Sequence, residues 1–206
     1  NEESSKGMNT SAINPINDRF LVLFRQRLSK ILKTSSRGAA EQVKIQTYGD
    51  YLKKLKTPVA INIIRARPLH GEALVVIDPS LISQCFDSFF GGGKASNERE
   101  GADKAFTRTE ISINNILMNI VFGALQEAWA PIQPLNCSGV AFISDPRKAA
   151  TMKDHELALV SRFHLELTEG GGAIEIIYPY YALKSIRSSF LRPPLDIGKD
   201  DLASQW

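Results

Sequence analysis

The sequence is short of the residues on which much catalytic and stapling chemistry depends. Cysteine occurs only twice in 206 residues, at Cys85 and Cys137, with no C-x-x-C spacing and no secretory signal at the start. A disulfide-stapled exported domain is therefore disfavoured and a reducing cytoplasm fits. The three histidines, His70, His155 and His164, stand apart from one another. None has a second ligand-type residue at a spacing that would put both on one helix face, so no metal is expected and each reads as a structural or surface residue. The G-x-S-x-G, H-E-x-x-H, P-loop and G-x-G-x-x-G patterns are all missing, which disfavours a familiar enzyme and any nucleotide cofactor. No run of about 18 apolar residues occurs, so direct membrane insertion is not expected. Charge of one sign is missing too. The 25 basic and 22 acidic residues leave a net charge of +3, too little for a chain that grips nucleic acid. The basic clusters at Lys53, Lys54 and Lys56 and at Arg147 and Lys148 lack interleaved aromatics and read as solvated faces.

What is present is an ordinary globular composition, 43% hydrophobic and 23% charged, with enough chain for one sizeable core. Residues 1–16 are expected to form a flexible lead-in, because Asn1 to Asn14 are nearly all polar and bury too little surface to offset the entropy of ordering. From Asp18, Phe20, Leu21, Leu23, Phe24, Leu28, Ile31 and Leu32 recur at helical spacing. A short strand at Val43 and Ile45 precedes a helical turn or two from Tyr48 to Leu55, and strands follow at Val59 to Arg65 and Ala73 to Ile77. Pro79 opens a helix whose apolar face is Leu81, Ile82, Cys85, Phe86, Phe89 and Phe90, and Gly91, Gly92 and Gly93 end it. Residues Gly91 to Ala105 then make a long polar connection of a kind more often functional than decorative. Thr107 and Glu110 form a capping box for the longest helix, which stops before Pro131. Strands at Ser138 to Ser144, Glu156 to Leu167 and Ala173 to Tyr178 lead to a helix from Pro179 to Leu191. The first residue is Asn rather than Met, and 195–206 reads as the start of a linker, so the chain is expected to be a piece of a longer one with a further domain after it.

Residues Gly71 to Phe90 can be laid on Gly171 to Phe190 without a gap. Gly71 faces Gly171, Ala73 faces Ala173, Ile77 faces Ile177, Pro79 faces Pro179 and Phe90 faces Phe190. Each half reads helix, strand, short helical connection, strand, strand, helix. Duplication of this kind predicts an α/β fold, a pseudo-twofold α/β/α sandwich of two similar halves with a mixed sheet between helices.

The string Asp87 to Lys94 (DSFFGGGK), with Ala105 to Glu110 (AFTRTE) and Glu127 to Ile132 (EAWAPI), resembles the middle domain of the flagellar motor switch family FliM. Asp18-Arg19-Phe20, Tyr48 to Leu52, Arg67 to Gly71, Phe163 to Leu167 and the Pro179 segment continue the resemblance in order, so that 17–194 is similar to that domain. The resemblance implies a CheC-like fold and a structural part of the rotor's cytoplasmic C ring, at the cytoplasmic face of the inner membrane. It implies docking on the FliG middle domain through a GGxG loop, contacts with neighbouring FliM copies, and relay of the chemotaxis signal into rotation direction. FliN would be reached through a C-terminal domain not in this chain, and a weak contact with phosphorylated CheY on this domain has no residues assigned to it. Carried over, the FliG-binding residues are Phe89, Phe90, Gly91, Gly92, Gly93 and Lys94. Lys94 stands where the motif has its final glycine, so either the loop is one residue shorter, with Gly93 in the last role, or that glycine is replaced. Phe90 is placed either in the docking surface or, like its repeat mate Phe190, in the core. The rival within the fold is a CheC-type phosphatase acting on phosphorylated CheY. It needs a helix-borne acid with Asn three residues on, whereas Glu110 is followed by Asn114 at four and already serves the capping box.

Overall fold

The computed structural model describes residues 12–91, 106–184 and 186. Helix α1 runs Ile13–Leu32, strands β1 (Arg37–Ala40) and β2 (Lys44–Thr47) follow, and a six-residue helix α2 (Tyr48–Lys53) leads to β3 (Ala60–Arg67), β4 (Ala73–Ile77) and α3 (Pro79–Phe90). The second half repeats the order with α4 (Arg108–Trp129), β5 (Asn136–Ile143), a 3-10 turn at Pro146–Lys148, β6 (Leu157–Leu167), β7 (Gly170–Pro179) and α5 (Tyr180–Lys184).

The strands form one seven-stranded sheet in the order β1-β6-β7-β4-β3-β5, with β2 also on β6. The internal repeat is written into its register. At the centre Leu74 pairs with Ile177, Val75 with Ile176, Val76 with Glu175 and Ile77 with Ile174. Adding 100 to one member of each pair and subtracting it from the other returns a pair of the same ladder, which is the property of a twofold axis standing on the sheet between β4 and β7. Such an axis reverses strand direction, so β4 and β7 are antiparallel, and the hairpins β3-β4 and β6-β7 are antiparallel by their short turns. The outer strands follow suit. The expected mixed sheet is thus antiparallel in every ladder. The edges are also exchanged: β1 and β2 of the first half pair with β6 of the second, and β5 of the second pairs with β3 of the first.

One face of the sheet carries α1, α3, α4 and α5 over the larger core, which contains Phe20, Phe24, Leu28, Val121, Leu125 and Trp129. The other is covered by α2 and the 3-10 turn, with Tyr48, Tyr51, Ile61, Leu74, Val76 and Ile177 beneath them. Burial on both faces explains why β4 reads Ala-Leu-Val-Val-Ile with no polar alternation. Thr107 accepts from the Glu110 N–H at 3.2 Å, the expected half of the capping box. The 22 residues of α4 reach about 33 Å. Arginine joins the two long helices: Arg19 donates twice to the Ala128 carbonyl, at 2.8 and 3.0 Å, a cation at the C-terminal end of α4, and Arg27 pairs with Glu127.

Several boundaries differ from the sequence expectation. Helix α1 begins at Ile13, not Asp18, so the lead-in of 1–16 is too long: Ile13, Ile16 and Asn17 are buried, and Asn17 donates to the Ser161 hydroxyl at 2.9 Å. Pro15 lies in the first turn, where a missing N–H is harmless. Strand β1 was not anticipated, because Arg-Gly-Ala-Ala has neither β-branching nor apolar alternation and is held by pairing with β6. Pro179 does not open the last helix. It ends β7 opposite Ala158, a ladder end at which its missing donor costs little. The helix expected to Leu191 is described only through Tyr180–Lys184, and Phe190 lies outside the described residues.

Candidate protein-docking site

Helix α3 starts on the sheet and ends in solvent. The Asp78 carboxylate accepts from the Ala173 N–H at 2.9 Å, tying the start of α3 to β7, and Pro79 occupies its first turn. Leu81, Ile82 and Cys85 are buried against the core. Burial pushes the Cys85 thiol up to about 12, so it is a packing residue and not a nucleophile. Further along, the apolar stripe outruns the core. Phe89 is 38% exposed and Phe90 64% exposed, and the Phe90 ring leans on Phe86 with centroids 4.7 Å apart. The core alternative for Phe90 is thereby overturned: among the described residues its ring stands largely in solvent and rests on Phe86.

The helix closes at Gly91, whose φ of 79° and ψ of 35° are left-handed and whose N–H returns to the Asp87 carbonyl. A β-carbon there would meet nothing within 4 Å, so glycine is needed for its backbone and not for room. Beside it the helix end and the β6-β7 turn enclose a cavity of about 230 Å³ lined by Gln84, Asp87, Ser88, Gly91, Leu167, Thr168 and Glu169. Asp87 Oδ1 is buried there with no hydrogen-bond partner among the described residues. Of the six residues expected at the site, Phe89, Phe90 and Gly91 lie together at this exposed helix end, while Gly92, Gly93 and Lys94 lie outside the described residues.

The amide that came nearest to a phosphatase pattern is not available. Asn114 is fully buried, donating to Asn62 Oδ1 at 2.8 Å and accepting from Asn62 Nδ2 at 3.0 Å. A side chain so engaged beneath the sheet has no access to a water on a partner's phosphate. Among the described residues no group of His, Cys, Asp and Glu is arranged to hold a metal ion. No helix there is long and apolar enough to cross a membrane.

Sequence reading missed a polar cluster on the other face. Arg162 lies 3.4 Å from Glu175 and 3.7 Å from Glu41, Tyr51 donates to Glu175 at 3.2 Å, and His164 bonds to Glu41. Burial raises the Glu175 carboxyl above its usual value against the pull of Arg162, whereas the His164 bond lowers that of Glu41. The signal was Arg162, His164 and Glu166 at alternate positions of a largely apolar strand.

With that geometry in place, the comparisons with known proteins are decisive. The family model "Flagellar motor switch protein FliM" matches residues 8–195. The chain belongs to the FliM family. FliM of Pseudomonas aeruginosa is 31% identical over 191 residues, 93% of this chain and 58% of that protein, and FliM of Escherichia coli is 28% identical over 92% of this chain and 57% of its own length. The chain therefore spans somewhat over half the length of these FliM relatives. The crystal structure of the FliM middle domain from Vibrio alginolyticus superposes with a TM-score of 0.79 at 30% identity, covering 86% of this chain and 99% of that one. A crystal structure of a FliG-FliM complex from H. pylori contains a chain that matches with a TM-score of 0.78 at 21% identity over 86% of this chain and 96% of that one. A CheC-like protein from Shewanella shares the fold at a TM-score of 0.51 and 15% identity, over 82% of this chain and 98% of its own. The FliM middle domain is accordingly an α/β CheC-like fold.

Proposed function

We propose that this chain is the ring-forming middle part of a flagellar motor switch protein, a non-enzymatic scaffold at the cytoplasmic face of the inner membrane. It docks on FliG through the end of α3 and the glycine loop that follows, and on neighbouring FliM copies through its flanks. One observation carries the reading: in a FliM-family chain, the apolar stripe of α3 continues into solvent as Phe89 and Phe90 immediately before the left-handed Gly91. Exposed aromatic pairs at a helix end are what a protein partner buries. The FliG-FliM complex of the H. pylori relative supports the choice of partner.

The binding surface comprises Phe89, Phe90, Gly91, Gly92, Gly93 and Lys94. In the whole protein FliN is reached through a C-terminal domain outside this chain, and any weak contact with phosphorylated CheY acts by favouring one ring arrangement over another. The phosphatase reading is not retained, since its amide is consumed inside the fold.

Calorimetric titration with the FliG middle domain tests the proposal. Wild type binds saturably, and Phe90→Ala and Gly92→Asp each weaken binding at least about tenfold with unchanged circular dichroism. Equal affinity of wild type and both variants, or no binding by folded wild type, refutes the assigned site.

A further inference from the structure

The two edges of the sheet are equivalent by the internal twofold, yet they are not built alike. The β1-β2 edge is in two pieces and carries Arg37, Glu41 and Lys44, with Glu41 3.9 Å from Lys44. Broken, charged strands are the usual guard against pairing with another chain. The opposite edge, β5, reads Asn-Cys-Ser-Gly-Val-Ala-Phe-Ile without a charge or a proline, and Ser138 through Ala141 are all exposed. Its one guard is a bulge at Val140, where the register against Ile63 and Ile64 slips.

That edge shows what it lacks. The Cys137 N–H donates to Gln126 Oε1 of α4 at 2.9 Å, so it points away from β3 and an amide oxygen stands where a neighbouring strand's carbonyl would be. By the two-residue alternation Gly139 is the next outward-facing residue, and a β-carbon added there would meet only Phe122, at 4.0 Å. On the neighbouring strand Arg65 pairs with Ser138 and Arg67 with Asn136, so both arginines stand on one face beside this edge. Arg65 shares Glu72 at 3.1 Å, and no carboxylate among the described residues is within ion-pair reach of Arg67. Both line a cavity of about 670 Å³ at the β3-β4 turn, with His70 and Thr151. A strand added outside β5 would run about 10 Å from β3, within reach of two long side chains meeting halfway.

We infer that the β5 edge at Asn136–Gly139 is a second docking site, which receives an extended acidic segment of a partner protein as an added strand. Main-chain bonds to Gly139 hold it, with the incoming strand displacing the Gln126 amide oxygen from the Cys137 N–H, and alternate Asp or Glu side chains meet Arg65 and Arg67. The site lies at the β5 edge of the sheet, whereas the α3 end lies beside the β6-β7 turn.

The test uses isotope-labelled wild-type chain with two short acetylated peptides, one alternating glutamate with valine and one alternating lysine with valine. The glutamate peptide is expected to slow exchange of the Gly139 amide at least about tenfold at saturation, and the lysine peptide to leave it unchanged. Gly139→Pro, which removes that donor at an exposed edge, abolishes saturable binding of the glutamate peptide as read from the peptide-induced shifts of the remaining labelled amides. Arg67→Glu, a surface change that leaves the edge intact, reverses the preference between the peptides. Equal protection by both peptides, binding of the glutamate peptide that survives Gly139→Pro, or an Arg67→Glu variant with the wild-type preference overturns the inference. Protection of Gly139 that grows with protein concentration in the absence of peptide would overturn it in favour of a second copy.

Discussion

The reciprocal amide pair Asn62–Asn114 offers the sharpest test of how this fold is held together. Asn114 is fully buried and Asn62 nearly so, and the pair exchanges two hydrogen bonds at 2.8 and 3.0 Å across the β3–α4 interface. Asn62 also donates to the Val75 carbonyl at 3.3 Å. Replacing Asn114 by leucine keeps the side chain's branching and removes both bonds, each worth about 1 kcal/mol net. It also strands Asn62 Oδ1 without a donor, at about 1–3 kcal/mol for a buried acceptor. The expected loss is therefore about 3–5 kcal/mol, a fall in melting temperature on the order of 10 °C for a domain of this size. Urea titration followed by circular dichroism measures it. The double variant Asn62→Leu with Asn114→Leu leaves no orphan and should recover at least about 2 kcal/mol of the summed single-variant losses. Single-variant losses below about 1 kcal/mol, or a strictly additive double variant, would refute the pairing as a determinant of stability.

Gly91→Ala should cost about 1 kcal/mol in urea unfolding although the added methyl meets no atom, because the penalty lies in a φ of 79°; no measurable cost would mean that the helix end does not need that conformation. The two carboxyls around Arg162 should respond oppositely to pH. Glu175 is raised by burial, so its contribution is full below the ordinary value near 4.5 and is lost as pH climbs through the folded value, and Glu175→Gln should gain relative stability from pH 4.5 upward. Glu41 is lowered by its bond to His164, so its contribution is present above 4.5 and is lost on acidification, and the deficit of Glu41→Gln should shrink as pH falls. Melting temperatures across an acid-to-neutral series report both, and parallel profiles for the two variants would contradict the assignment.

The elements legible from sequence were those whose signal is local. The limits of α3 follow from Pro79 and Gly91, those of α4 from the Thr107 cap and the chain turn before Pro131, and β4 from an unbroken apolar run. Strand β1 and the early start of α1 were not legible, since Arg37–Ala40 is a strand only because β6 offers it partners and Ile13 is ordered only because the core receives it. At the docking site the residue types could be read, but not their exposure. Whether Phe90 is core or surface depends on how far α3 runs past the sheet, a tertiary distance that helical periodicity does not encode. The Arg162 cluster was hidden for a related reason, because Glu41 of the β1-β2 connection, Arg162 of β6 and Glu175 of β7 are distant in sequence and meet only in the fold.

The internal twofold also separates what the fold requires from what it has been adapted to do. A duplicated domain is stable when its halves exchange edges and share a core, and that accounts for the β4-β7 register, for the asparagines of α1 and α4 reaching down to β6 and β3 respectively, and for the paired long helices. None of this needs the halves to differ at the surface. Where they do differ, stability gives no reason. The β3 flank leaves Arg67 with no carboxylate in ion-pair reach among the described residues, beside a chargeless edge, while the symmetry-related edge is broken and carries its own ion pairs. That departure, on an element separate from the exposed phenylalanines at the end of α3, is what the proposed scaffold would need if it is to hold different partners at once.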